Sequence, residues 1–217
     1  DLKSIYIDLN KVDEYANFAS TIPGGANFDV NERDSLTYVA AERVYMRGEV
    51  NEARNSFTRY LQTFPEGAFS LNANFYIGLI DYTQKAYDSA AEHLDKVLEY
   101  PNNKYSEDAM LMSAEMAYTA KNYEKALNVY KQLKDKAASQ ERRQLAKTGV
   151  LRSAHMLGNG EEVILAATDL LSDSKLSPEL SNEAHYYRAK VYLDEGKTEG
   201  AMDDLKVLAA DTRNVYG

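Results

Sequence analysis

Apolar residues recur at i, i+3, i+4 and i+7 through most of this 217-residue chain. In VNEARNSFTRYLQTF (50–64) they are Val50, Ala53, Phe57, Tyr60, Leu61 and Phe64, one face of a helix, and YEKALNVYKQL (123–133) repeats the pattern. No segment sustains alternation with a period of two, so helices are predicted and strands are not. Sliding the chain against itself from Ala126 gives equivalent positions at Tyr15, Ala53, Ala90, Val163 and Ala201, in steps of 38, 37, 36, 37 and 38. Twelve residues before the last five of these anchors lie Ala41, Gly78, Ala114, Leu151 and Ala189. Four after them come Phe57, Leu94, Tyr130, Ala167 and Leu205, and seven after them Tyr60, Val97, Leu133, Leu170 and Leu208. Small residues at the first two places let paired antiparallel helices approach; large ones at the last two fill the gap to the next pair.

Short breakers divide each copy in half: RGE (47–49), QKA (84–86), KN (121–122), GNG (158–160) and EGK (195–197). Others separate the copies: PGG (23–25), PEG (65–67), PNN (101–103) and SP (177–178). Ser177 reads as a helix cap followed by Pro178 at the first helical position, and Ser106 as another helix start. The prediction is one all-α domain over 1–217. It has a partial repeat at 1–25 and helix pairs at about 30–65, 68–101, 104–135, 138–174 and 177–211. One pair has too little apolar area to offset its ordering entropy, so successive pairs must stack. The twin corners FPEGAFS (64–70) and YPNNKYS (100–106) are the joints, with Phe69 and Tyr105 expected under the preceding second helix. The chain opens directly in helical spacing and stops at a connector. It is therefore expected to be a piece of a longer array, able to associate end to end through its uncovered faces.

A net charge of −9 disfavours phosphate backbones and anionic lipid, so no nucleic acid or membrane surface is expected as a partner. The absence of cysteine excludes disulfides, thiolate nucleophiles and zinc–thiolate sites. No apolar run has the length to cross a bilayer. HExxH, the P-loop, GxGxxG and GxSxG are all missing. His93, His155 and His185 are scattered, and His93 with Asp95 reads as solvated surface before it reads as a metal ligand. The acid pairs Asp13–Glu14, Glu161–Glu162 and Asp203–Asp204 fall at turns or early in helices, where dipole and solvation account for them. No catalytic residue, cofactor or metal is expected, and the chain is read as not an enzyme.

The order of Leu/Ile–Gly/Ala, Tyr, Gly, Ala, aromatic and Pro in YVAAERVYMRGEVNEARNSFTRYLQTFP (38–65) and YIGLIDYTQKAYDSAAEHLDKVLEYP (76–101) resembles the tetratricopeptide repeat. The likeness implies a right-handed α-α superhelix, or solenoid, of about five helix pairs. These copies exceed the family's period by a few residues. Val163 and a missing terminal proline set the fourth copy apart. Tyr45, Tyr82 and Tyr118 stand one place closer to the anchor than the family's tyrosine, and Asp81 falls on a position expected to be buried. Both point to a one-residue offset in the first helix. The corner and longer period are similar to bacterial cell-envelope members of the family, those of outer-membrane assembly and the Tol–Pal system. That implies a periplasmic or envelope location, with the cytoplasm as alternative.

In the family, one stripe of the first helix lines a concave groove. Here that stripe comprises Tyr38, Glu42 and Tyr45; Phe75, Leu79 and Tyr82; Glu115 and Tyr118; Arg152 and His155; Tyr186 and Lys190. The rings either face a partner segment or pad the core, and the residues leave both open. Glu42 and Glu115 followed by Arg152 and Lys190 change sign along the chain, which would orient a charged partner. The implied function is a non-enzymatic scaffold binding a protein or peptide partner. The alternatives are a spacer within a longer array, or a module binding carbohydrate or another small ligand.

Overall fold

The computed structural model describes residues 1–25 and 28–216. Among these residues there are twelve helices and no strand: α1 (Leu2–Asp8), α2 (Val12–Thr21), α3 (Val30–Met46), α4 (Val50–Thr63), α5 (Ser70–Thr83), α6 (Tyr87–Leu98), α7 (Ser106–Thr119), α8 (Tyr123–Lys136), α9 (Gln140–Leu157), α10 (Gly160–Leu171), α11 (Pro178–Asp194) and α12 (Thr198–Ala210). Five residues before each anchor the backbone turns left-handed, at Asn10, Gly48, Lys85, Lys121, Gly158 and Gly196, with φ between 57° and 81°. The next amide donates to the carbonyl five residues back, as in Ala86 N–H to Asp81 (2.8 Å) and Asn122 N–H to Ala117 (2.8 Å). Each hairpin is thus closed by the same Schellman turn. The predicted breakers supply it at a fixed distance from the anchor.

The contacts divide into two compact units, 1–109 and 110–217. In the first, α3 packs on α4, α4 on α5 and α5 on α6, while α1 and α2 lie against α3. Ala41, Ala53, Ala90, Phe57, Tyr60, Leu94 and Val97 are all fully buried. Gly78 is small by necessity: a Cβ there would come within 2.7 Å of the Leu94 side chain. In the second unit α8 packs on α9, α9 on α10, α10 on α11 and α11 on α12. Its core gathers Ala114, Ala126, Tyr130, Leu151, Val163, Ala167 and Leu170. Leu205 departs from the register, being 39% exposed, because among the described residues no further helix packs over α12.

At the corners Phe69 and Tyr105 lie flat on a ring of the preceding first helix, and Phe69 also packs into the cluster that holds Phe57 and Tyr60 of α4. Phe69 stacks on Tyr38 (4.5 Å between centroids, 5° between planes) and Tyr105 on Phe75 (4.1 Å, 14°). A third such stack, Tyr216 on Tyr186 (4.6 Å, 20°), closes the last hairpin. Asn103 and Asn214 hold the later two corners alike. Each side-chain amide donates to carbonyls at the end of the second helix, and each Oδ1 accepts the amide of the corner tyrosine at 2.8 Å. At the first corner Gly67 replaces that asparagine. There the Tyr60 hydroxyl donates to buried Asp34 and accepts from Phe69 N–H (3.0 Å), and Asp34 also accepts Ala68 N–H (2.8 Å). A Cβ on Gly67 would lie 2.5 Å from the Tyr60 oxygen, so this corner requires glycine.

Asp81 marks no offset of the helix. Its position, nine before the anchor, is buried in four copies, at Val44, Asp81, Ala117 and Ala154. The carboxylate is 1% exposed, accepts Arg54 through two bonds of 2.5 and 2.9 Å, and accepts Ser89 Oγ at 2.5 Å. Burial opposes its ionisation, yet the bonds from Arg54 and Ser89 hold its pKa below the usual carboxylate range. Asp204 is likewise not a solvated acid: it is 1% exposed and bonded by Arg188 (2.6 and 3.0 Å) and His185 (2.7 Å). His93 is half-buried with its Nδ1 2.8 Å from Asn74, in the place that His185 and Asp204 occupy with roles reversed.

Candidate functional site

In the first unit the aromatic stripe divides. Tyr38 (3% exposed) and Phe75 (7%) are covered by the corner rings, so both are core padding and neither is offered to a partner. The Tyr38 hydroxyl donates to Glu42 at 2.8 Å, and burial, ahead of the nearby carboxylate, raises its pKa. Tyr45, Leu79 and Tyr82 are half-buried. The Tyr45 ring leans on Tyr76 (4.9 Å), which itself stacks on Phe57 (5.0 Å, 2°). Tyr82 faces Tyr87 at 6.0 Å.

The second unit brings Glu115, Tyr118 and Arg152 to one cleft of about 440 Å³. α7 supplies Glu115 and Tyr118, α8 supplies Tyr130, and α9 runs along it from Glu141 to Arg152. Leu180 of α11 closes one wall. Tyr130 can reach this place because α9 has glycine opposite: a Cβ on Gly149 would come within 2.5 Å of its ring. Burial pushes the Tyr130 hydroxyl up to about 12 and raises that of Tyr118, so both remain neutral donors near neutral pH. The Arg152 guanidinium is gripped by Glu183 of α11 through paired bonds of 2.7 and 2.8 Å. Those bonds raise its pKa despite burial, and they neutralise the positive charge that the sequence left free for a partner. The sign change read along the stripe is therefore reduced to Lys190.

His155 and Lys190 line a separate hollow of about 350 Å³ with Tyr187 and Glu195. The imidazole lies on the Tyr187 ring (3.9 Å, 16°); burial, then the Lys190 charge, lowers its pKa and favours the neutral form. Tyr186 is held by Tyr216, outside both hollows. Sequence reasoning missed Tyr130, Thr148, Gly149, Leu180 and Glu183. The available signal was a departure from the period, since the fourth copy has Thr148 where three others have a ring. Among the described residues no group of His, Asp and Glu is arranged to hold a metal, and no helix is long and apolar enough to cross a membrane.

Two family models, each described as tetratricopeptide repeat, match residues 38–104 and 108–139. MamA from Desulfovibrio magneticus RS-1 (41-end) is 18% identical, with a TM-score of 0.54 over 83% of this chain and 97% of that one. A MamA RS-1 double mutant is 18% identical, with a TM-score of 0.55 over 82% and 93%. A Podospora anserina protein with nearly identical TPR-like repeats is 15% identical, with a TM-score of 0.52 over 84% and 96%. At such identities the likeness shows the fold, an all-α helical repeat. No curated protein matches the chain.

Proposed function

We propose, for a chain built of tetratricopeptide repeats, a non-enzymatic scaffold that captures a segment of another protein in the cleft between α7, α9 and α11. The cleft itself carries the reading. It is open, chiefly apolar on its floor, and edged by Tyr118, Gln144 and Arg152, a mixture that suits an extended or helical peptide better than a reacting small molecule. Tyrosine and an immobilised arginine offer large contact area with little rotamer freedom left to lose. A spacer would need only the stacked hairpins and would gain nothing from a cleft of this size. The test places a photo-reactive phenylalanine analogue at Leu145, 43% exposed on the cleft wall, and another at exposed Glu124 of α8, which lies outside it. Cross-links to a discrete protein in native extract are expected from Leu145 alone. Equal labelling from both positions refutes the capture role.

The cell envelope is the proposed location, on the strength of the corner motif and the longer period. Fractionation of the native cell, with the protein recovered in the cytosolic fraction, would overturn it.

A further inference from the structure

The cleft of the second unit does not end at α11. Arg152 and Leu180, which line it, also line a second hollow of about 300 Å³ that runs on to the corner after α12. Exposed Leu145 stands in the first hollow, and Val215, 86% exposed, in the second. A segment lying across both would cover an apolar side chain at either end.

The charge along this path sets it apart from the rest of the unit. Over residues 110–217 the sequence is almost balanced, with 16 acidic and 15 basic side chains. The joined hollows are instead lined by Glu141, Glu179, Glu183 and Asp211 against Arg152 and Arg213. Arg152 and Glu183 neutralise each other through their paired bonds. What is left is one acid on α9, and two acids with one base around α11 and the last corner. Glu141 and Glu179 are exposed and stand in the first turns of α9 and α11. Asp211 accepts Asn182 Nδ2 at 2.8 Å and Arg213 N–H at 3.0 Å, and these bonds hold its carboxyl below the usual carboxylate range. Glu115 adds a further acid on the α7 side, and the balance does not depend on it.

We infer that the joined hollows receive a lysine- or arginine-bearing segment of a partner protein, laid from Leu145 toward Val215. Complementary charge speeds its encounter and rejects acidic competitors, while covering Leu145, Leu180 and Val215 supplies the apolar contact. This inference rests on the capture role proposed above and names the class of segment captured.

The test selects binders from a displayed library of random peptides on the full chain and measures the recovered peptides by fluorescence anisotropy. The recovered peptides are expected to carry net positive charge and to bind more weakly as salt is raised. Glu141→Lys/Glu179→Lys should weaken them about tenfold or more. Glu124→Lys/Glu199→Lys changes the chain's charge equally, at exposed first-turn positions of α8 and α12 that line neither hollow, and should leave binding within about twofold. If the first double variant does not fold, Glu141→Gln/Glu179→Gln replaces it, with a loss of about threefold or more expected. Recovered peptides without an excess of basic residues, or equal weakening by the two lysine variants, overturn the inference and leave the capture role standing. Sedimentation that finds a dimer, dissociated by Glu141→Lys/Glu179→Lys, assigns the hollows to a second copy and overturns both. A library that yields no binder overturns both as well.

Discussion

Lys85 and Lys121 occupy, at φ of 62° and 61°, the left-handed position that Gly48, Gly158 and Gly196 occupy in the other hairpins. An L-residue there carries a strain of about 1–2 kcal/mol. Replacing it by glycine relieves that strain but restores about 0.5–1 kcal/mol of unfolded-state entropy. Both lysine side chains are exposed and make no ion pair, so no contact offsets the gain. Lys85→Gly and Lys121→Gly should therefore each stabilise the unit that holds them by about 0.5–1 kcal/mol. Gly48→Ala and Gly158→Ala, where a Cβ meets nothing within 4 Å, should destabilise by about 1 kcal/mol from backbone strain alone. Urea unfolding followed by circular dichroism reads the midpoint with its slope unchanged. Glycine at 85 or 121 lowering the midpoint would refute the reasoning, because the turn would then owe its geometry to the side chain.

Arg188→Met takes the guanidinium away from buried Asp204, leaving the His185 ring nitrogen within hydrogen-bond distance, and should cost about 3 kcal/mol in the same assay; a loss below about 1 kcal/mol contradicts the pairing. Phe69→Ala removes a ring stacked flat on Tyr38 and should cost about 2 kcal/mol, whereas Tyr100→Ala, at an exposed ring, should change stability by about 0.5 kcal/mol or less. The folded-state pKa values of Asp81 and Asp204 lie below their unfolded values. Their contribution is thus complete above the unfolded aspartate pKa of about 3.9 and disappears as the pH falls through the folded values. Urea midpoints measured from neutral pH downward should hold level until near that point and then fall; a decline already under way well above it, with none below, would contradict the pairing.

The anchor, its small partner twelve residues earlier and the turn between them were legible because each is a short-range steric demand repeated at one period. The stacked rings were not, since Tyr38 and Phe69 lie 31 residues apart and nothing local distinguishes a ring covered by a corner from one left bare. Arg152 looked available for the same reason: Glu183, its partner, is 31 residues on in another hairpin. Asp204 resembled surface because the residue beside it, Asp203, is exposed, and only the fold brings Arg188 and His185 across to it. The cleft residue Thr148 could have been found by asking where, fifteen residues before its anchor, the repeat fails to write an aromatic.

The Arg54–Asp81 bridge joins the second helix of one hairpin to the first helix of the next. The residue after the anchor is arginine in this copy alone; elsewhere it is Ala91, Leu127, Ile164 and Met202. The buried acid nine before the anchor is equally singular. These hairpins are consequently not interchangeable bricks. A shuffled or trimmed chain that brings any other copy ahead of α5 leaves the buried Asp81 carboxylate without its guanidinium partner, so the order of the first modules is favoured by one ion pair even where their shapes would fit.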